Sequence, residues 1–351
     1  MRPFAYDQPP LRIVFAAGAF DRVAEETRLL AGGRPLIVTS PGRLRLAEEL
    51  SRRLAFDSAG IWTQAAAHVP LDAVRAAREL AKSAGARCCV ALGGGSAIGL
   101  AKAIALDTGL PIIAVPTTYA GSEMTPIYGI TDEGVKKTGR DRRVLPKTVV
   151  YDPALTLTLP PKVSGPSGLN AIAHCVEALY APDRNPITSM MAAEGIRSLA
   201  QSLPVIVNDP SDLGARGEAL YGACLGGAAL GATSMSLHHK LCHTLGGAFH
   251  LPHAEVHAVI LPQATAFNRK AAPEAMRLIA DALGTGDAAQ GIYDLAVRIG
   301  APVSLDRIGM PADGLDRAAR LTIENPYDNP KPIDYAGVRQ LLEDAYQGRR
   351  P

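Results

Sequence analysis

The sequence predicts an α/β N-terminal half with a mostly parallel sheet, residues 1–160, followed by an all-helical C-terminal half, residues 161–351. Up to about residue 160, short apolar runs alternate with segments of helical apolar spacing, the pattern of parallel strands joined by crossover helices. Beyond that point the strand signals stop, and helical patterns rich in alanine, leucine and glycine continue. No low-complexity linker or internal repeat intervenes, so the change of pattern itself marks the domain boundary.

Taken in order, Arg12–Ala16 reads as the first strand and Phe20–Leu30 as a helix stopped at Gly32-Gly33, because glycine accepts the left-handed conformation that closes a helix. Strand Pro35–Thr39, helix Leu44–Leu54, strand Gly60–Thr63 and helix Leu71–Ala84 follow. Strand Arg87–Leu92 then enters a glycine-rich turn and a further helix, and Pro111–Pro116 is the next strand. Tyr128–Thr131 and Lys136–Arg140, joined by a turn at Asp132-Glu133-Gly134, read as a hairpin. In the second half, Gly168–Leu179, Ala219–Cys224 and Glu274–Leu283 carry helical spacing.

With 351 residues, 47% apolar and 20% charged, the chain has room for two domains and a large core. A formal charge of +2 from scattered basic residues argues against nucleic acid or an anionic membrane as the main partner. No apolar run reaches transmembrane length and the N-terminus lacks a signal-peptide core, so a cytoplasmic protein is expected. The five cysteines are odd in number, lack zinc-finger spacing and sit mostly in apolar context, which predicts buried thiols.

Two loops in the first half carry chemistry. In Leu92-Gly93-Gly94-Gly95-Ser96-Ala97, between a strand and a helix, glycines let backbone approach a ligand and the helix amides favour phosphate, so a pyrophosphate cradle is expected. The glycine spacing is neither the dinucleotide fingerprint nor a Walker A loop. The run Pro116-Thr117-Thr118-Tyr119-Ala120-Gly121-Ser122 lies at a strand's carboxyl end, where open α/β sheets bind ligands. Its hydroxyls can reach ribose, phosphate or substrate. Beyond it, Lys136 to Arg143 concentrates positive charge, either as a solvated face or as an anion site.

Six of the eight histidines fall between His238 and His257. His239 and His243 are four apart and share a helix face. Gly246-Gly247 is expected to break or bend that helix, and a turn at Pro252 to bring His253 back. Asn170 and His174 lie one turn apart on another helix. Such imidazoles bind metal or move protons. His238, His250 and His257, taken singly, read as ordinary core or surface residues, whereas His174, His239, His243 and His253 read as a functional set.

These stretches together resemble the iron-containing, or group III, alcohol dehydrogenase family, which shares a two-domain fold with dehydroquinate synthase. The resemblance covers nearly the whole chain. It implies that Gly93, Gly94, Gly95 and Ser96 hold the pyrophosphate of NAD(P) and that Thr117 and Thr118 flank the cofactor. It sets Asn170, His174, His239 and His253 where the family binds its metal, with His243 at a further active-site position. Ser40, Pro41 and Arg43 follow the second strand, where folds that exclude NADPH commonly place a carboxylate. None is present, so use of both NADH and NADPH is expected.

Asn170 stands where the family has an aspartate. Losing the only anionic ligand leads to the expectation that no metal is bound or required. Asn170–His174, Thr117–Pro126 and Lys136–Asp141 are similar to the maleylacetate reductase branch, which reduces a carbon-carbon double bond late in aromatic-ring degradation, converting maleylacetate to 3-oxoadipate. That likeness implies a small dicarboxylate substrate, with His243 and His253 as the catalytic pair. Asn170, His174, His239, Tyr119, Ser122, Lys136, Lys137 and Arg140 would bind substrate. A homodimer without nucleic-acid or membrane partners is expected. The alternatives are an iron- or zinc-dependent alcohol or polyol dehydrogenase using His174, His239 and His253, a lyase that uses NAD transiently, and a non-catalytic NAD-binding protein.

Overall fold

The computed structural model describes Phe4, Tyr6 and residues 11–54, 57–132 and 135–351, the side chains of Val135 and Lys136 excepted. The chain divides between Leu159 and Pro160 into two compact units.

The first unit is built on a six-stranded sheet. Its strands are β1 (Arg12–Phe15), β2 (Pro35–Val38), β3 (Gly60–Trp62), β4 (Cys88–Gly93), β5 (Ile112–Pro116) and, after the separate hairpin β6 (Ile127–Asp132) and β7 (Val135–Arg140), β8 (Thr148–Tyr151). The order is β1-β8-β5-β4-β2-β3, and every pairing within it is parallel. Helices α1 (Val23–Ala31), α2 (Leu44–Arg53), α3 (Leu71–Ser83) and α4 (Gly95–Thr108) supply the crossovers. Side chains alternate between the two faces of a strand. Leu36, Val38, Cys89 and Ala91 thus pack with Val74, Ala77, Ile98 and Ala101, while Ile37, Val90, Leu92, Ile113 and Val115 join Phe20, Val23, Ala47 and Leu50. Strands covered on both faces read as unbroken apolar runs, which is why they are legible in the sequence.

β8 is the element that sequence reading misses. Thr148-Val149-Val150-Tyr151 is only four residues long and ends at Asp152, yet it is the link between β1 and β5. The Asp152 carboxylate then accepts from the amides of Gly18 and Phe20 at 3.1 and 3.0 Å, tying the turn after β1 to the end of β8. The hairpin forms as expected, antiparallel with Ile130 opposite Lys137, while Glu133 and Gly134 of its turn lie outside the described residues.

The second unit is helical: α5 (Pro161–Tyr180), α6 (Pro186–Asn208), α7 (Leu213–Gly231), α8 (Leu237–Phe249), α9 (His253–Asn268), α10 (Pro273–Leu283), α11 (Ala288–Arg298), α12 (Leu315–Glu324) and α13 (Tyr335–Gln347). From Ser164 to Tyr180, α5 is buried throughout. Its neighbours approach so closely that an added Cβ at Gly195 would lie 2.8 Å from Cys175 Sγ, and one at Gly226 2.8 Å from the Ala171 carbonyl oxygen. A second core joins α8, α9, α12 and α13 through Leu241, Leu245, Val256, Ile260, Leu315 and Leu342. All five cysteines are buried as thiols. No described helix is long and apolar enough to cross a membrane.

The Gly246-Gly247 pair does not break its helix. Backbone hydrogen bonding carries α8 through both glycines to Phe249, and the stop comes at His250 in the left-handed region, φ 55°, followed by Pro252 as the cap of α9. Proline has no amide to continue a helix, so the corner falls there and sets His253 at the first position of α9.

Candidate active site

In the first unit, the glycine loop ends β4 and opens α4. Gly93 has φ 150°, and an added Cβ at Gly94 would meet Thr118 Cγ2 at 2.8 Å. The Thr117 amide donates to the Gly93 carbonyl at 3.0 Å. Gly93, Gly94, Gly95, Ser96, Thr117 and Thr118 are therefore brought together at the carboxyl ends of adjacent strands, beside the N-terminus of a 14-residue helix. Thr39 Oγ1 donates to the Leu92 carbonyl at 2.8 Å, drawing the end of β2 and the following Ser40-Pro41-Gly42-Arg43 turn against the same edge. The Arg43 guanidinium donates to the Thr158 hydroxyl, a neutral partner.

Lys102 gives no such signal in the sequence. It is fully buried on α4, and its Nζ donates to the carbonyls of Ser122, Thr125 and Ile127 at 2.6, 2.8 and 2.8 Å and to Thr125 Oγ1 at 3.0 Å. Burial pushes its pKa down to about 7, against the opposing charge of Glu123. That carboxylate is itself buried and accepts from Tyr151 Oη at 2.8 Å. Lys102 thus braces the loop that carries Tyr119, which is buried, and Ser122, which is half-buried. Lys137 is 73% exposed and pairs with Asp132 at 3.7 Å; Arg140 is exposed on the same strand. The Lys136 side chain lies outside the description.

In the helical unit, three helices converge on a histidine cluster. α5 contributes Asn170 and His174, α8 contributes His238, His239 and His243, and α9 contributes His253 and His257. His174 stacks on His239 with centroids 5.3 Å apart, and His257 lies 4.8, 5.2 and 4.3 Å from His238, His239 and His253. His243 is half-buried 6.1 Å from His239, and His253 is exposed at the start of α9. All four of the histidines singled out from sequence lie in this cluster. His238 and His257, set aside as ordinary, are in it too; the four-residue spacing of His253 and His257 is the signal that could have found the latter. His250 sits exposed at the helix stop.

Glu177 was also missed, though Asn170, His174 and Glu177 follow the i, i+4, i+7 stripe of one helix face. It is fully buried. One oxygen lies 2.6 Å from His239 Nδ1 and accepts from the Ser236 amide at 2.8 Å; the other accepts from the His239 amide at 3.3 Å. Burial alone would raise its pKa, but the charge and hydrogen bond of His239, with His238 and the Ser236 amide, outweigh that and hold it below the usual range. A carboxylate on Nδ1 directs the lone pair of Nε2 outward.

Burial, then the neighbouring histidines, pushes His174 and His257 well below the ordinary imidazole range and His238 down to about 4. These rings are therefore neutral donors. Among the described residues, His239 Nε2, His174 Nδ1, both nitrogens of His257 and Asn170 Oδ1 are buried without a hydrogen-bond partner. His238, His239 and His257 each offer one ligand atom within 4.8 Å of the others. Buried polar atoms without partners are rare unless an ion or water satisfies them, and imidazole suits iron and zinc.

Comparison with known proteins agrees. Residues 10–153 match the iron-containing alcohol dehydrogenase family and residues 165–346 the C-terminal domain of the Fe-containing alcohol dehydrogenase family. The chain belongs to the iron-containing alcohol dehydrogenase family. Over 351 residues it is 53% identical to a maleylacetate reductase of Burkholderia cepacia, covering 100% of both chains. The crystal structure of a maleylacetate reductase from Agrobacterium tumefaciens superposes with a TM-score of 0.96 at 52% identity, covering 100% of both chains. That of an iron-containing alcohol dehydrogenase from Corynebacterium glutamicum gives 0.94 at 41% identity, over 99% of this chain and 98% of that one.

The expectation that no metal is required is thereby corrected. The family is iron-containing, and the clustered imidazoles form a donor set that suits a divalent ion. Asn170 removes one direct anionic ligand, but Glu177 brings a buried charge to the donor set through His239.

Proposed function

We propose that this protein is a maleylacetate reductase, an NAD(P)H-dependent oxidoreductase that reduces the carbon-carbon double bond of maleylacetate and yields 3-oxoadipate. The observation that carries this reading is the full-length similarity to maleylacetate reductases. A role in the breakdown of aromatic compounds, a cytoplasmic setting and a homodimeric assembly complete it.

In the substrate the double bond is conjugated to a ketone. Hydride from the dihydronicotinamide adds to the alkene carbon beyond the ketone's α-carbon, and the π electrons move onto the ketone oxygen as an enolate. Protonation of the α-carbon restores the ketone, so one NAD(P)H and one proton are consumed. The enolate oxygen needs a hydrogen-bond donor and the carbon a proton donor. His243 and His253 supply these, while Asn170 and His174 orient the substrate. The glycine loop, Thr117, Thr118 and the turn Ser40–Arg43 bind the dinucleotide. Tyr119, Ser122 and the cations of β7 are assigned to the substrate's carboxylates.

His238, His239 and His257 would hold the family's metal, which when bound supplies Lewis-acid polarisation of the ketone oxygen. Glu177 keeps His239 oriented with its Nε2 lone pair available.

The test is turnover of maleylacetate with NADH or NADPH beside ethanol, propanediol and glycerol with the oxidised cofactors, products being identified by mass and NMR. A saturated keto diacid is expected, and His243→Ala should lower kcat by on the order of a hundredfold. Preference for the simple alcohols, or a hydroxy acid as product, would overturn the reading.

A further inference from the structure

We propose that Lys240 is a specificity-determining residue that binds the substrate's carboxymethyl carboxylate, the one separated from the ketone by a single methylene. This assignment deepens the reductase reading above and rests on it. It leaves Tyr119, Ser122 and the cations of β7 the carboxylate beside the double bond.

α8 has one uncovered stripe. Between Leu237 and Gly247 every residue is buried except Lys240, His243, Thr244 and Gly247. Their spacing of i, i+3, i+4 and i+7 places all four along one helix face. That face is open at its far end, since an added Cβ at Gly247 would meet nothing within 4 Å. On a helix otherwise packed into the core, this is the side a ligand can reach, and it carries a proton-transfer group beside a cation.

The cation is half-buried and has no competing anion at hand. Lys240 Nζ lies 5.9 Å from the Tyr327 ring centroid, an aromatic face that draws the charge in without neutralising it. Among the described residues no ion pair involves Lys240, and the carboxylate whose charge reaches it, Glu324, is exposed at the end of α12. On β7, by contrast, Lys137 is exposed and paired with Asp132. Water and salt screen a half-buried ammonium less than an exposed one, so a carboxylate set against it is held more strongly.

The chemistry selects which carboxylate. Maleylacetate carries one on the carbon that accepts hydride and the other on a methylene attached to the ketone carbon. The first stays with the nicotinamide, because hydride transfer brings its carbon there. The histidines serve the ketone oxygen and the α-carbon, and each of these atoms is three bonds from the carbon of the carboxymethyl carboxylate. Residues three apart on a helix have Cβ atoms about 5–6 Å apart. A substrate whose ketone region meets His243 therefore presents that carboxylate within reach of Lys240.

The experiment measures kcat and KM with NADH for maleylacetate and for cis-4-oxopent-2-enoate, in which methyl replaces the carboxymethyl group. Wild type, Lys240→Met, Lys240→Gln and Lys240→Arg are compared as full chains. Wild type should favour maleylacetate in kcat/KM by about 10–100-fold, the scale of a hydrogen bond to a charged group. Lys240→Met and Lys240→Gln should erase that preference through KM for maleylacetate and leave kcat/KM for the analogue within about twofold, the signature of uniform binding. Lys240→Arg should keep most of the preference. A wild type that reduces both substrates equally well would overturn the proposal without any variant. So would neutral variants that lose activity on both substrates alike, the result of a merely structural lysine, or that retain the wild-type preference. In each of these cases the reductase reading stands, whereas a wild type that reduces neither substrate would remove that reading and the role of Lys240 with it.

Discussion

Replacing Glu177 with Gln tests the buried strut beneath the histidines without changing its size. The carboxylate accepts three hydrogen bonds, from His239 Nδ1 at 2.6 Å, the Ser236 amide at 2.8 Å and the His239 amide at 3.3 Å. Glutamine has one acceptor oxygen, which can serve either the Ser236 amide with His239 Nδ1 or the His239 amide but not both, presents an NH2 on its other side and carries no charge. One charge-assisted bond is lost, at about 1.5–3 kcal/mol, and a favourable charge at the start of α8, at about 0.3–1 kcal/mol. The expected destabilisation is about 2–4 kcal/mol, or roughly 4–15 °C in melting temperature at about 2–4 °C per kcal/mol.

The pH dependence fixes the sign. The native carboxyl titrates below its ordinary value of 4.5, so its contribution is fully present above that value and is lost as pH falls through the native pKa. The gap between wild type and Glu177→Gln should therefore be constant near neutrality and close in acid. Thermal unfolding of the metal-free full chain across that range is the assay. A variant melting within about 1 °C of wild type at neutral pH, or a gap that persists unchanged in acid, would refute the reasoning.

Three further outcomes are expected. His174, His238 and His257 are held below 6.5 in the native state, His238 at about 4, so their stabilisation is present above pH 6.5 and lost as pH falls below it. With three protons taken up on unfolding, the slope of unfolding free energy should reach about 4 kcal/mol per pH unit, and His257→Gln should reduce it by about a third in urea titrations between pH 6 and pH 5. Reconstitution with ferrous iron or zinc should load about one ion per chain by elemental analysis. His239→Ala should abolish this loading, and Glu177→Gln should weaken it by about 10–100-fold. Arg43→Ala should raise KM for NADPH more than for NADH, measured by initial rates, because a cation whose partner among the described residues is a neutral hydroxyl favours the extra phosphate.

Much of the architecture is local and therefore readable in sequence. Apolar runs such as Cys88-Cys89-Val90-Ala91-Leu92 mark strands covered on both faces, and glycines mark the turn where β4 becomes α4. The fourfold spacings of Asn170 with His174 and of His239 with His243 put each pair on one helix face, because the helical period depends only on neighbouring residues. β8 escaped because four residues give too short a pattern to separate from a loop, and only its two partners select it. Lys102 escaped because its carbonyl partners come from a loop about twenty residues on, and a lysine in isolation reads as a solvated one.

The two-part architecture, the glycine loop and the concentration of histidines are legible in the chain because they rest on residue type and short-range spacing. Which histidines share a cluster, and what orients them, follows from how the helices pack. His238 and His257 enter it because α8 and α9 meet at the Pro252 corner. His239 is directed by a carboxylate 62 residues away in the chain and His243 is met by a tyrosine 84 residues away. Such pairings are fixed by the packing of buried helices, where a charge or lone pair must find a partner, and no local period records which one it will be.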